Sequence, residues 1–278
     1  MRILFCKVRR MAVYLYFRKT NKTLMAKTIL ITGASSGFGK AIAQRFAKDS
    51  NTICITGRRK ERLEELRQEL EKSAGVKVIV SAFDIRKRQD VENAIAELRA
   101  KIDRVDILVN NAGLAAGLSS IEEGDVDDWE DMIDTNLKGL LYMTRQIAPM
   151  MKEQKGGHIF NIGSTAGKLV YKNGNVYCAT KFAVDALNQA MRIDLLPYGI
   201  KVTAINPGLA ETEFSLVRFK GDEERAKTVY AGFEPLHAED IADVVYYCAS
   251  LPAHVCINDL TITCTAQANS SNVVRHGQ

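Results

Sequence analysis

From residue 28 onward the chain alternates between two kinds of stretch. Short runs rich in β-branched residues read as strands, and longer ones with apolar residues three and four apart read as amphipathic helices. The strands are expected over 28–32, 52–56, 77–81, 106–110, 158–162, 201–205 and 260–263. Helices are expected over 39–48, 59–72, around 89–101, around 127–151, and over 176–196 and 238–250. In the second of these Leu63, Leu66 and Leu70 fall on one face. Strands that are apolar throughout, joined by crossover helices, imply a parallel sheet covered on both sides. Right-handed crossovers then select a three-layer, doubly wound (Rossmann) α/β fold. Ligands of such sheets bind beyond the C-terminal ends of the strands.

Composition narrows the picture. With 278 residues and no linker-like tract, the chain suits one α/β domain, able to bury about three quarters of its unfolded surface. The six cysteines are scattered, with no C-x-x-C pair and no zinc spacing, which points to free thiols in a reducing, cytoplasmic setting. Residues 1–24 carry seven Lys or Arg and no acid, so the formal +5 of the whole chain becomes −2 for the rest. That remainder has no nucleic-acid footprint. The longest apolar run of the first 24 residues, Met11 to Phe17, is far short of the ~20 residues that span a bilayer. We read 1–24 as a poorly ordered extension outside the domain and place the domain at 25–278.

The motifs sit at the expected strand ends. Gly33, Ser35, Ser36, Gly37, Phe38 and Gly39 follow the first strand and open a helix. Glycines there allow a tight turn, and the helix start offers N–H groups to a pyrophosphate. The second strand ends in Arg58 and Arg59, where a carboxylate would select NAD. Arginine instead suits a 2′-phosphate, so the cofactor expected is NADP. Asp84 and Ile85, after the third strand, are placed to meet adenine. Asn110, Asn111, Ala112 and Gly113, after the fourth, are placed against a ribose.

Tyr177 and Lys181 stand four apart at the start of a helix, on one face. A free phenol has a pKa of ~10, and a neighbouring ammonium would lower it toward neutrality. Tyr177 is then the acid/base. Ser164, at the end of the fifth strand, would hold the substrate oxygen, and Asn136 a water linking Lys181 to solvent. No metal site is expected.

These pieces resemble the short-chain dehydrogenase/reductase family over residues 27–265. The matching segments are T-G-A-S-S-G-F-G (32–39), N-N-A-G (110–113), Asn136, Ser164, Y-C-A-T-K (177–181) and P-G-L-A-E-T (207–212). The resemblance implies an Asn-Ser-Tyr-Lys tetrad and hydride transfer to or from a nicotinamide. It also implies that Pro207, Gly208, Leu209 and Thr212 meet the nicotinamide end, and that the protein is a homotetramer. A narrower likeness, to the NADP-dependent 3-hydroxy acid (serine/allo-threonine) dehydrogenases, is carried by G-R-R-x-E-R-L (57–63), D-W-E-D-M-I-D-T-N (128–136), I-G-S-T-A-G (162–167), G-N-V-Y (174–177), E-F-S-L-V-R-F-K-G-D (213–222) and L-P-A-H-V (251–255). It implies a small carboxylate-bearing substrate.

Such a substrate needs a cation. Arg218 and Lys220, in a mobile lid expected around 209–235, are the candidates, with Arg275 a weaker one and His237 and His254 structural. Two other readings share the motifs. One is a broad carbonyl or 3-oxoacyl reductase. The other is an idle NADP-binding sensor, which the complete tetrad argues against.

Overall fold

The chain is described from a computed structural model, over residues 26–49 and 51–276. The extension expected over 1–24 lies outside them. Seven strands form one sheet: β1 (Thr28–Ile31), β2 (Thr52–Gly57), β3 (Val78–Ala82), β4 (Ile107–Asn110), β5 (Gly157–Ile162), β6 (Ile200–Pro207) and β7 (Asp259–Ile262). Their order is β3-β2-β1-β4-β5-β6-β7, and every pairing is parallel.

Strand side chains alternate between two cores. Ile29 and Ile31 of β1 and Ile107 and Val109 of β4 face one way. There they meet Ile42 and Phe46 of α1 (Gly37–Ala47), Leu63, Leu66 and Leu70 of α2 (Lys60–Ala74), and Ile241 and Val245 of α9 (Ala238–Ser250). Leu30 and Leu108 face the other way. They meet Val91 and Ile95 of α3 (Arg88–Arg99), Met143 and Ile147 of α5 (Leu140–Glu153), and Val184 and Met191 of α6 (Asn175–Leu195). This is the three-layer arrangement the apolar strands call for. The chain fills the sheet outward from β1 to β3, then returns to β4 beside β1. Connections therefore diverge above β1 and β4, and a crevice opens there.

The helix expected over 127–151 is interrupted. It runs as α4 (Val126–Ile133), a π-helical turn at Asp134–Gly139, and α5. Such turns insert one residue and re-aim the side chains beside them; here the one re-aimed is Asn136. Two other boundaries move. α1 begins at Gly37, so the glycine turn runs straight into it. Arg59 is the N-cap of α2 rather than its first turn. Beyond β6 lie two short helices, α7 (Glu213–Arg218) and α8 (Glu223–Thr228), within the segment expected to be a lid. Among the described residues no helix is long and apolar enough to cross a membrane.

Candidate active site

The crevice is a cleft of about 320 Å³ that runs from Arg58 and Asp84 at one end to Ser164, Tyr177 and Lys181 at the other. Its floor is the turn after β1. The Thr32 hydroxyl accepts from the N–H groups of Asn111 (3.0 Å) and Ala112 (2.9 Å), tying that turn to the loop after β4. Gly33 has φ +66°, and a Cβ on it would lie 2.9 Å from the Ala112 Cα. Only glycine fits both demands. Gly37 has φ +51° and faces Thr212 across the cleft.

Most of the cofactor residues expected from sequence line this cleft: Gly33, Ser35, Ser36, Gly37, Phe38, Arg58, Arg59, Asp84, Ile85, Asn111, Ala112, Gly113, Pro207, Gly208 and Thr212. Three do not. Asn110 is buried, and its amide donates to Thr144 Oγ1 (3.0 Å) and Asn161 Oδ1 (2.9 Å), so its side chain belongs to the core between β4 and β5. A Cβ on Gly39 would meet the Gly33 carbonyl oxygen at 2.4 Å, so this glycine serves the packing of α1 on the turn. The Leu209 backbone is bonded to Gln267 Oε1 (2.8 Å) and to Leu236 N–H (3.0 Å).

Periodicity had no means of finding Glu213, which also lines the cleft. Its carboxylate accepts from Arg59 Nη1 (2.9 Å) and Arg62 Nη1 (2.6 Å). Arg59 in turn donates to Ser35 Oγ through Nε (3.1 Å) and Nη2 (2.9 Å), and to Ser36 Oγ through Nη2 (2.7 Å). Arg58 is exposed at the rim. Both oxygens of Asp84 are engaged by Arg86, which holds its carboxyl below the usual range.

At the other end Tyr177 and Lys181 are both buried on α6. The Lys181 ammonium donates to the Ile162 carbonyl (2.9 Å) and lies 5.9 Å from the centre of the Tyr177 ring. Burial pushes the phenol above its usual value, and the nearby Tyr171 adds to this; Ser164 and the Arg218 guanidinium oppose it. Lys181, expected to lower the phenol, is not among the groups that lower it here, and desolvation sets the direction. Burial also brings Lys181 down to about 8.

Ser164 caps a short turn and accepts from Ala166 N–H (3.0 Å). The Asn136 amide donates to the Leu114 carbonyl (2.8 Å) and to Thr180 Oγ1 (3.1 Å), and its Oδ1 accepts from Leu114 N–H (2.8 Å). Its side chain braces the loop after β4 against α6. A Cβ on Gly113 would sit 3.2 Å from Asn136 Oδ1 and 3.6 Å from Lys181 Nζ, so that glycine lets both groups approach.

A second chamber, about 270 Å³, adjoins Tyr177 and is lined by Arg218, Lys220 and Trp129 among others. The Arg218 guanidinium lies 5.8 Å from the Tyr177 ring and 5.5 Å from Tyr171, held by an Nε bond to the Gly117 carbonyl (3.1 Å). Lys220 is committed to Asp125 (3.1 Å) and Asp128 (3.0 Å). Arg275 donates to the Ala231 (2.5 Å) and Val229 (2.9 Å) carbonyls. His237 caps α9, and His254 is exposed. Among the described residues no group of three or more His, Cys, Asp or Glu could hold a metal ion.

The glycine turn, the braced loop and the buried Tyr–Lys pair define a class, and comparison with known proteins agrees. The chain belongs to the short chain dehydrogenase family, which it matches over residues 27–222. It is 48% identical over 241 residues to the NADP-dependent 3-hydroxy acid dehydrogenase of Salmonella typhi, covering 86% of this chain and 96% of that one. It is 44% identical over 251 residues to sulfoacetaldehyde reductase 2 of Chromohalobacter salexigens, covering 90% and 99%. The closed form of a serine dehydrogenase complexed with NADP+ superposes with a TM-score of 0.83 at 45% identity, covering 90% of this chain and all of that one.

Proposed function

We propose that this protein is an NADP-dependent oxidoreductase of small 3-hydroxy acids, with Tyr177 as its acid/base. The observation that carries the substrate class is the Arg218 guanidinium held 5.8 Å from the Tyr177 ring. A 3-hydroxy acid places its carboxylate two bonds from the reacting carbon. Sulfoacetaldehyde, named for one relative, places a sulfonate at the same remove from its aldehyde. One cation beside the phenol suits both. Of the sequence candidates only Arg218 is available, since Lys220 and Arg275 are engaged elsewhere.

The residues fit the cofactor. The glycine turn would give a pyrophosphate a close backbone, and Arg58, Arg59 and Ser35 would hold an adenosine 2′-phosphate. When bound, NADP would supply the hydride acceptor. The protein does the rest. Ser164 and Tyr177 hold the substrate oxygen, and Arg218 holds its anionic end. In oxidation the phenol oxygen removes the hydroxyl proton, and in reduction the phenol gives it back. Lys181, brought to about 8, exchanges protons near neutral pH and is suited to resupply Tyr177.

The exposed apolar residues Phe182 and Ile193 of α6, with Leu196 just beyond it, support a homotetramer built on this helix. The five described cysteines are free thiols, which suits a reducing cytoplasm. α7 and α8 form the substrate lid, with Phe214 edge-on to Tyr177. A spectrophotometric panel of 3-hydroxy acids and neutral alcohols with NADP+ and NAD+ tests the proposal. Turnover should favour 3-hydroxy acids with NADP+. Equal turnover of bulky neutral alcohols would favour the broad carbonyl reductase instead.

A further inference from the structure

Glu213 occupies a position that joins two parts of the site. It is the first residue of α7, next to Thr212, whose Oγ1 caps that helix by accepting from Phe214 N–H (3.2 Å). The same helix carries Phe214 and Val217 over the cleft and Arg218 into the substrate chamber. Yet the Glu213 carboxylate reaches back to Arg59 and Arg62 at the start of α2, at the far end of the cofactor cleft. One side chain thus ties the lid to the arginines assigned to the 2′-phosphate.

The hydrogen-bond count shows that the tie and the phosphate can coexist. Ser35 and Ser36 accept from Arg59, and among the described residues neither hydroxyl donates a bond of its own. Both protons are left to give to a phosphate oxygen. Arg59 keeps a second Nη1 hydrogen, and Arg58 stands exposed beside it. Charge agrees. Arg59 and Arg62 share the Glu213 carboxylate, the Asp84–Arg86 pair is neutral, and Arg58 adds a further charge, which leaves an excess of two positive charges, and a phosphate near neutral pH carries about that much negative charge. A phosphate bound there fixes Arg59 through the serines, and Arg59 then presents a fixed partner to Glu213.

We infer that Glu213 is a positioning residue that makes closure of the substrate lid depend on the 2′-phosphate. Selection of NADP over NAD then acts on assembly of the substrate chamber as well as on cofactor affinity. The inference rests on the NADP reading above.

Trp129 is the single tryptophan and lines the substrate chamber beside Phe219 and Lys220, so its emission reports the lid. We would record it with saturating NADP+ and NAD+ for the wild type, Glu213→Gln and Glu213→Asp, and measure cofactor Kd by calorimetry. In the wild type NADP+ should change the emission more than NAD+ does. In Glu213→Gln the two responses should become alike while the NADP+ Kd stays within about threefold, and KM for the 3-hydroxy acid with NADP+ should rise about fivefold with kcat nearly kept. Glu213→Asp should recover part of the difference. A Glu213→Gln response equal to wild type would overturn the inference. So would a tenfold tightening of NADP+, which would make the carboxylate an opponent of the phosphate. Equal wild-type Kd for NADP+ and NAD+ would instead overturn the 2′-phosphate reading beneath it.

Discussion

At Tyr177 two influences compete: burial holds the phenol protonated, while Ser164 and the Arg218 guanidinium favour the phenolate. Burial wins within the protein itself. Tyr177→Phe should keep NADP binding and lose about 10²–10⁴-fold in kcat, since it removes the proton donor without changing the ring; calorimetry and turnover separate the two. His158 is a second buried titratable group. Its Nε2 lies 2.7 Å from Thr203 Oγ1, whose proton goes to the Ile257 carbonyl (2.6 Å). Nε2 therefore carries the ring hydrogen, and Nδ1 is buried without a partner. Burial lowers this histidine from 6.5 to about 2. Below pH 6.5 the unfolded chain binds a proton that the folded one refuses, so stability falls with pH, by up to about 1.4 kcal/mol per unit from this residue. Urea midpoints at pH 7 and pH 5 should differ less for His158→Gln than for the wild type.

The turn, lid and helix starts carry the next set of consequences. Gly39→Ala forces a Cβ to 2.4 Å from the Gly33 carbonyl, which neither backbone can yield cheaply. It should destabilise the fold by about 1–3 kcal/mol or more and weaken NADP, as thermal melts with and without cofactor would show. Lys220 has φ +53° and is held there by Asp125 and Asp128. Lys220→Gly removes the ion pairs while easing the left-handed backbone. We expect an unchanged or higher melting temperature together with a raised KM, the signature of a lid latch. Arg218→Ala should raise KM for 3-hydroxy acids at least tenfold and spare neutral alcohols; equal effects on both would remove Arg218 from the carboxylate site.

For the molecule as a whole, the covered sheet leaves exposed apolar side chains at the C-terminal end of α6. Ile193 of α6 and Leu196 just beyond it are about 73% and 72% exposed, on the helix that carries Tyr177 and Lys181. If the proposed tetramer is built on this face, changing both to Glu should shift sedimentation to smaller species. A tetramer that survives would place the interface elsewhere.

How far the sequence reached depended on the range of the forces involved. The strands, most helices and the strand-end motifs were legible because β-branched runs, 3.6-residue periodicity and glycine spacing act locally. Tyr177 with Lys181 was legible for the same reason, one helical turn apart. The π turn that aims Asn136 was not, because its apolar pattern matches a plain α-helix. Asn110 and Asn111 look alike in sequence; strand register alone sends one into the core and the other to the cleft. The same holds for Arg218 and Lys220, which differ only in which acids the fold brings within reach. Glu213 stands 154 residues from the arginine it binds, a pairing that no local pattern encodes. The sequence by itself determined the elements, their parallel stacking and the order of the candidate catalytic residues. Tertiary structure decided which polar groups are buried, paired or left free, because those states depend on desolvation and on partners far away in the chain.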